Sequence, residues 1–183
     1  GRDTMIALPG LTLVTGRHEV AKKILETYSD YCDKGMIPNR FPEAGEQPEY
    51  NSVDAALWFI YAVKSYLNYT ADLDFIESRI FHVLTQIVQY YINGTRYNIH
   101  ADEDGLIYAG EEGTQLTWMD AKAGNMVVTP RRGKAVEINA LWYNALKIVE
   151  DISFKLEVKN WSDRCQKLAE KVKGSFNRKF WNS

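Results

Sequence analysis

The chain has 183 residues, 45% of them hydrophobic and 25% charged, an ordinary mixture for one folded domain that excludes disordered and collagen-like classes. Twenty-two Lys and Arg stand against 24 Asp and Glu, for a formal charge of −2. No basic field is available to hold a nucleic acid through counterion release. No apolar run approaches the roughly 18 residues needed to cross a bilayer. The opening Gly1-Arg2-Asp3 lacks the apolar centre of a signal peptide, so the expected location is cytoplasmic.

Helical periodicity gives six segments. The first runs from Asp3 to about Thr15 and contains Pro9 and Gly10, where proline removes a hydrogen bond. In the second, from about Arg17 to Cys32, Val20, Ala21, Ile24, Leu25, Tyr28 and Tyr31 share one face. The third places Ala56, Phe59, Ile60, Val63 and Leu67 on a common face, after Asn51, Ser52 and Asp54 as candidate caps. Ile76, Ile80, Val83, Leu84, Ile87 and Tyr91 define the fourth, and Ile138, Leu141, Trp142, Ala145 and Val149 the fifth. The sixth follows Asn160 as N-cap and carries Trp161, Cys165, Leu168, Val172 and Phe176.

Two connections are long, from Asp33 to Val53 and from Asn93 to Ala135, and they hold most of the Gly, Pro and polar residues. Long structured loops in a compact domain are usually functional. Antiparallel pairing of successive helices brings both loops to the end that carries the N-terminus. Within the second loop, Arg96 to His100 and Leu106 to Tyr108 flank the turn Asp102-Glu103-Asp104-Gly105, which predicts a small β-hairpin. Three helical hairpins do not close a bundle, and the chain lacks an initiator Met and stops at Phe180-Trp181-Asn182-Ser183. Residues 1–183 are therefore expected to be a single incomplete domain, part of a larger helical toroid. Apolar edges on such a piece are expected to favour self-association.

Five Trp, 11 Tyr and seven Phe make the chain rich in flat amphipathic rings, which a core can absorb and which also stack on pyranose faces in a sugar-binding cleft. Cys32 and Cys165 have no CxxC spacing and are expected as reduced structural thiols. His18, His82 and His100 lack zinc spacing, and the Asp102 to Gly105 turn lacks the ligand series of a calcium loop. No phosphate loop or nucleophile elbow occurs. Neither a metal nor another cofactor is expected.

The motif-bearing pieces are GRDT at Gly1 to Thr4, PNRF at Pro38 to Phe41, NSVDAALW at Asn51 to Trp58, TWMDAK at Thr117 to Lys122, and RRGKAVEINALW at Arg131 to Trp142. In this order they resemble the amylo-α-1,6-glucosidase region of glycogen debranching enzymes, related to glucoamylase-type (α/α)6-barrel glycosidases. The resemblance spans essentially the whole chain. It implies an all-α fold of six helices in three αα-hairpins, about half of an (α/α)6 barrel, with the rest of the barrel supplied by the full-length chain. It implies hydrolysis of the α-1,6-linked glucose stub of glycogen or another branched α-glucan, with inversion. Other inverting glycosidases of the same toroid type, such as glucoamylase or trehalase, remain open, as does a non-catalytic glycan-binding helical domain.

Inverting hydrolysis needs one carboxyl to protonate the leaving oxygen and another to activate water. By the resemblance, Asp120 is the general acid and the general base lies beyond residue 183. An aspartic acid in that role has to be raised from about 3.9 by about 2 to 3 pH units. Trp118 and Met119 are expected to wall it from water, and Glu111, Glu112 and the Asp102 to Asp104 run to disfavour its anion. The alternative is an exposed loop carboxylate or helix cap. Arg2 and Asp3 resemble the pair that grips the glucose at the non-reducing end, or else form a salt bridge capping the first helix. Asn39 and Arg40 are a second sugar-binding corner or an ordinary turn. Asp54 and Trp58, one helical turn apart, supply an acid and a stacking platform or a cap and a core ring. Trp118 and Lys122, within TWMDAK, join the substrate-binding set. Arg131 and Arg132 contact sugar or hold Asp120 and Glu137, with one of them simply solvated. Glu137 binds hydroxyls, orients an arginine, or serves as a first-turn acid favoured by the helix dipole.

Overall fold

A computed structural model describes residues 1–41, 47–124 and 126–181. Parts of the two long loops and the terminal Asn182-Ser183 lie outside the described residues. Helix α1 spans Arg2–Leu8 and runs on as a π-helical stretch over Pro9–Leu13. Proline inside an α-helix clashes with the carbonyl four residues back. Here the ladder widens instead, with the Val14 amide donating to the Pro9 carbonyl at 3.0 Å. The Thr12 hydroxyl donates to the Leu8 carbonyl at 2.6 Å. Pro9 thus shifts the hydrogen-bond period without ending the helix.

Helix α2 spans His18–Asp30 and α3 spans Ala55–Thr70. Helix α4 opens with Leu73–Phe75, passes through a π-helical stretch at Ile76–Ile80 and continues over Phe81–Asn93. Helices α5, Val136–Lys155, and α6, Lys159–Phe180, complete the six. The sixth begins before Asn160, whose predicted role as N-cap belongs to Val158. The cause is the tight turn ahead of it: Glu157 adopts a left-handed φ of 59°, and the Val158 amide donates to the Ser153 carbonyl at 2.8 Å.

The helices form two layers. Helix α1 packs on α3 and α3 on α5, while α2 covers α3, and α6 lies along α5. Helix α3 is central and buries Ala56, Phe59, Ile60, Val63 and Tyr66. The first predicted hairpin is present, with β1, His100–Ala101, antiparallel to β2, Ile107–Tyr108. A second, unforeseen pairing joins β3, Lys122–Ala123, to β4, Met126–Val127. The all-α class with a small hairpin in the 93–135 loop is as expected.

The first hairpin is fastened to the helices by buried polar groups. Asn139 on α5, fully buried, exchanges hydrogen bonds with the backbone of Ile107: the Ile107 amide donates at 2.6 Å and the side-chain amide returns a bond at 3.2 Å. The Trp142 indole donates to the Gly105 carbonyl at 3.1 Å. At the turn, Asp104 accepts ion pairs from Lys134 at 2.9 Å and Lys179 at 2.7 Å. Burial pushes the Asp104 carboxyl up, but the two lysines and the Leu106 amide outweigh it and hold the group well below the usual carboxylate range. A carboxyl depressed on folding stabilises above its unfolded pKa, and the contribution fades as pH falls towards its folded value. Asp104→Asn should therefore cost about 1 kcal/mol near neutrality, with the difference from wild type shrinking below about pH 4. Urea unfolding at pH 7 and pH 3 measures it.

Candidate active site

Helices α1, α3 and α5 begin at the same end, as antiparallel pairing predicts, because Arg2, Asp54 and Glu137 all border one cleft of about 470 Å³. Trp58, Trp118, Ile6 and Leu141 supply its apolar walls. Three helix N-termini with their partial positive charge therefore face one opening. A second cleft of about 410 Å³ is lined instead by Asn39, Asn51, Thr114, Gln115, Asp120 and Lys122.

Arg2 sits between the two. Its Nε donates to Asp54 Oδ2 at 2.7 Å and its Nη1 to Asp120 Oδ2 at 3.3 Å. The Arg2 and Asp54 side chains are only 10% and 3% exposed. Burial lowers the Arg2 pKa, but its bonds to Asp54 and Asp120 more than offset this, so the guanidinium stays charged. Asp54 is held from its other oxygen by the Ser52 hydroxyl at 2.5 Å, which also accepts from the Ala55 amide at 3.1 Å. Asp54 is thus the N-cap residue of α3 by position, yet Ser52 satisfies the helix donor and leaves the carboxylate for arginine.

The carboxylate beside Arg2 is Asp54, not the predicted neighbour Asp3, which is exposed on the first turn of α1 and borders neither cleft. The side chains of consecutive helical residues point about 100° apart, which turns Asp3 away from the direction Arg2 takes towards Asp54. Asn39 does reach the site: its Oδ1 accepts from the Arg2 amide at 3.2 Å. Arg40 turns to solvent and pairs with Glu49 at 3.1 Å. Arg131 pairs with Glu137 at 2.6 Å, and Arg132 is exposed. Glu137 keeps its other oxygen, Oε1, buried and without a partner among the described residues. Lys122 lies on β3 with its ammonium on the Gly113 carbonyl at 3.0 Å.

Asp120 departs from expectation in its surroundings. Its side chain is 52% exposed and Trp118 is 59% exposed, so the apolar wall foreseen from the sequence is not built. The Asp102 and Asp104 charges are neutralised by Lys134 and Lys179, so these two do not act on Asp120 as free anions. What Asp120 meets is the Arg2 cation.

Of the three candidate caps of α3, Ser52 is the one whose side chain accepts from the helix; sequence reasoning missed Asn139 and the loop tie from the Val53 amide to the Leu116 carbonyl at 2.9 Å, and an Asn inside an apolar helical face was the available signal for the first. Cys32 and Cys165 are free, with burial pushing each thiol up to about 12. Among the described residues no three His, Cys, Asp or Glu side chains cluster to hold a metal ion, and no helix is long and apolar enough to cross a membrane.

A family model described as Amylo-alpha-1,6-glucosidase matches residues 1–183. The glycogen debranching enzyme of Saccharomyces cerevisiae is 29% identical, over 85% of this chain and 14% of the yeast protein. The chain spans about one seventh of that relative's length. Among solved structures, a GH78 family rhamnosidase of Bacillus sp. GL1 superposes with a TM-score of 0.68 at 16% identity, covering 92% of this chain and 16% of the rhamnosidase. That likeness establishes the helical fold.

Removing one member of a buried ion pair strands the other charge. Asp54→Ala should destabilise the protein by about 3 kcal/mol. Asp120→Asn, at a solvent-washed position, should cost under about 1 kcal/mol. Urea unfolding of the two variants side by side checks the contrast.

Proposed function

Because the chain belongs to the amylo-α-1,6-glucosidase family, we propose that it is the portion of a glycogen-debranching glycoside hydrolase that carries the general acid, and that the full-length enzyme removes the α-1,6-linked glucose stub of a branched α-glucan. The observation that carries this reading is the bridge from Asp54 through Arg2 to Asp120, which joins three separate motifs between two adjoining clefts.

In this reading the stub glucose enters the apolar cleft against Trp58 and Trp118. Arg2, Asp54 and Glu137, which line this cleft, read its hydroxyls, where charged donors and acceptors discriminate strongly. Asp120 gives its proton to the glycosidic oxygen, and the leaving chain departs as a neutral alcohol. A second carboxylate, from outside these 183 residues, takes a proton from water that attacks the opposite face, so the anomeric centre inverts. Binding of substrate and of the remaining barrel supplies the desolvation that this chain alone does not give Asp120. Residues 1–183 constitute about half of the (α/α)6 barrel, and the exposed Ile6, Leu11, Val14 and Tyr61 include the faces that the other half covers. Work on glycogen implies a cytoplasmic enzyme. The exposure of Asp120 and Trp118 favours one competing reading, a glycan-binding domain without chemistry.

Asp120→Asn in the full-length protein separates the two. Loss of general acid catalysis should lower kcat for glucose release from branched limit dextrin by about 1,000-fold, with little change in binding. The first-formed glucose should be the β-anomer by NMR, and residues 1–183 alone should release none. Retained turnover in the Asn variant rejects the catalytic reading.

A further inference from the structure

We infer that the polar cleft on the Asp120 side of Arg2 holds the leaving chain, the run of glucose units that bears the branch. This rests on the proposed role of Asp120 as proton donor.

A glycosidic oxygen that receives a proton from Asp120 has one sugar on either side of it, and Asp120 lines one cleft while touching, through Arg2, the edge of another. The helix-end cleft is reached through Arg2, which contacts both Asp54 and Asp120. The other is lined by Asp120 itself. Their chemistry differs. The helix-end cleft is apolar and charged, whereas the second presents amides, a hydroxyl and a lysine with bonding capacity to spare. Gln115 spends its Nε2 on the Ala121 carbonyl at 3.1 Å and keeps its amide oxygen. Asn39 spends its Oδ1 on the Arg2 amide and keeps its two side-chain N–H groups. Lys122 uses one of its three donors, on Gly113. Amides and a hydroxyl that both donate and accept, beside one lysine and one carboxylate, suit a chain of sugar hydroxyls.

Tyr97 adds an aromatic to this cleft, and its backbone is held in an unfavourable place. Tyr97 and Asn98 both adopt left-handed φ, 58° and 56°, a conformation that non-glycine residues avoid. The surroundings enforce it. The Gly110 amide donates to the Tyr97 carbonyl at 2.9 Å and the Thr95 amide to the Ile99 carbonyl at 2.9 Å. Arg96 is clamped by an ion pair to Asp33, a bond to its carbonyl at 3.1 Å, and the Tyr50 ring 4.9 Å away. Backbone strain that persists because its surroundings over-determine it tends to mark a ligand clamp. A glycine here would relax the backbone; a tyrosine retains a ring able to stack on a pyranose.

The test uses the full-length protein with two substrates. A 6-O-α-glucosyl maltooligosaccharide fills both clefts; α-glucosyl fluoride carries no sugar on the leaving side and its fluoride departs without a proton. Tyr97→Gly removes the ring while accepting the backbone angle, and Gln115→Ala removes the side-chain amide, with its bond to the Ala121 carbonyl, at a half-buried position. Each should lower the ratio of kcat/KM on the oligosaccharide to that on the fluoride by about 10-fold, mainly through KM. An unchanged ratio in both variants, or an equal loss on both substrates, overturns the inference. Asp120→Asn is run in parallel: if it keeps oligosaccharide turnover, the proposed function fails instead, and if it loses that turnover while hydrolysing the fluoride, the reading of the two clefts is tested on its own.

Discussion

The Arg2 to Asp54 ion pair is the constraint on which the rest of the site is arranged. Both groups are withdrawn from water, and their mutual attraction in that setting does little more than repay desolvation. Its consequence is geometric. A guanidinium whose Nε is fixed on Asp54 has its remaining donors aimed in set directions, and one of them meets Asp120. The pair also requires close approach of the chain. A Cβ on Gly1 would stand 2.2 Å from the Asn39 carbonyl oxygen and 2.4 Å from its Cα, so the residue ahead of Arg2 has to be glycine for Asn39 to reach the Arg2 amide. Gly1, Arg2, Asn39, Ser52 and Asp54 form one unit drawn from three stretches of sequence.

That unit is supported from the interior. Tyr91 of α4, fully buried, donates to the Val53 carbonyl at 2.7 Å and stacks on Trp142 at 5.8 Å between ring centroids. Val53 binds Leu116 through its amide, and Trp142 binds the hairpin at Gly105. The loop that carries Thr117 to Asp120 is therefore tied to the same backbone segment that leads into Asp54. Loop residues held by buried donors and acceptors are placed nearly as firmly as residues on the helices themselves.

The helices were legible because burial follows period 3.6, and Ile60, Val63, Leu84, Ile87, Val149 and Val172 all sit inside as their spacing requires. The hairpin at Asp102 to Gly105 was legible through its turn residues. Three things were not. The β3 and β4 pairing lies in an exposed segment of two-residue strands, too short for alternation to register. The partner of Arg2 depends on how α1 meets α3, and sequence adjacency pointed to Asp3 where helical rotation selects Asp54. The exposure of Trp118 depends on what a loop packs against, which no local pattern encodes. In KAVEINALW, Asn139 and Trp142 have structural work that motif resemblance alone does not separate from chemistry.

The two clefts are built from different materials, and that difference bears on how such a fold is adapted. The helix-end cleft is made by the first turns of α1, α3 and α5, whose directions are fixed by core packing, so its charged groups cannot move without disturbing the interior. Much of the polar cleft is made by 113–122 and Tyr97, loop residues whose side chains can be exchanged while the Val53 and Leu116 tie persists. A fold match at 16% identity is what such a division permits, since the helical layers constrain residue character far more than residue identity. Under the proposed function, discrimination among glucans is then set largely in the loops, and the demand for a proton donor facing a fixed arginine in the framework. Asp120 belongs to both: its backbone is in the loop, and its carboxylate is addressed by the one guanidinium that the core holds still.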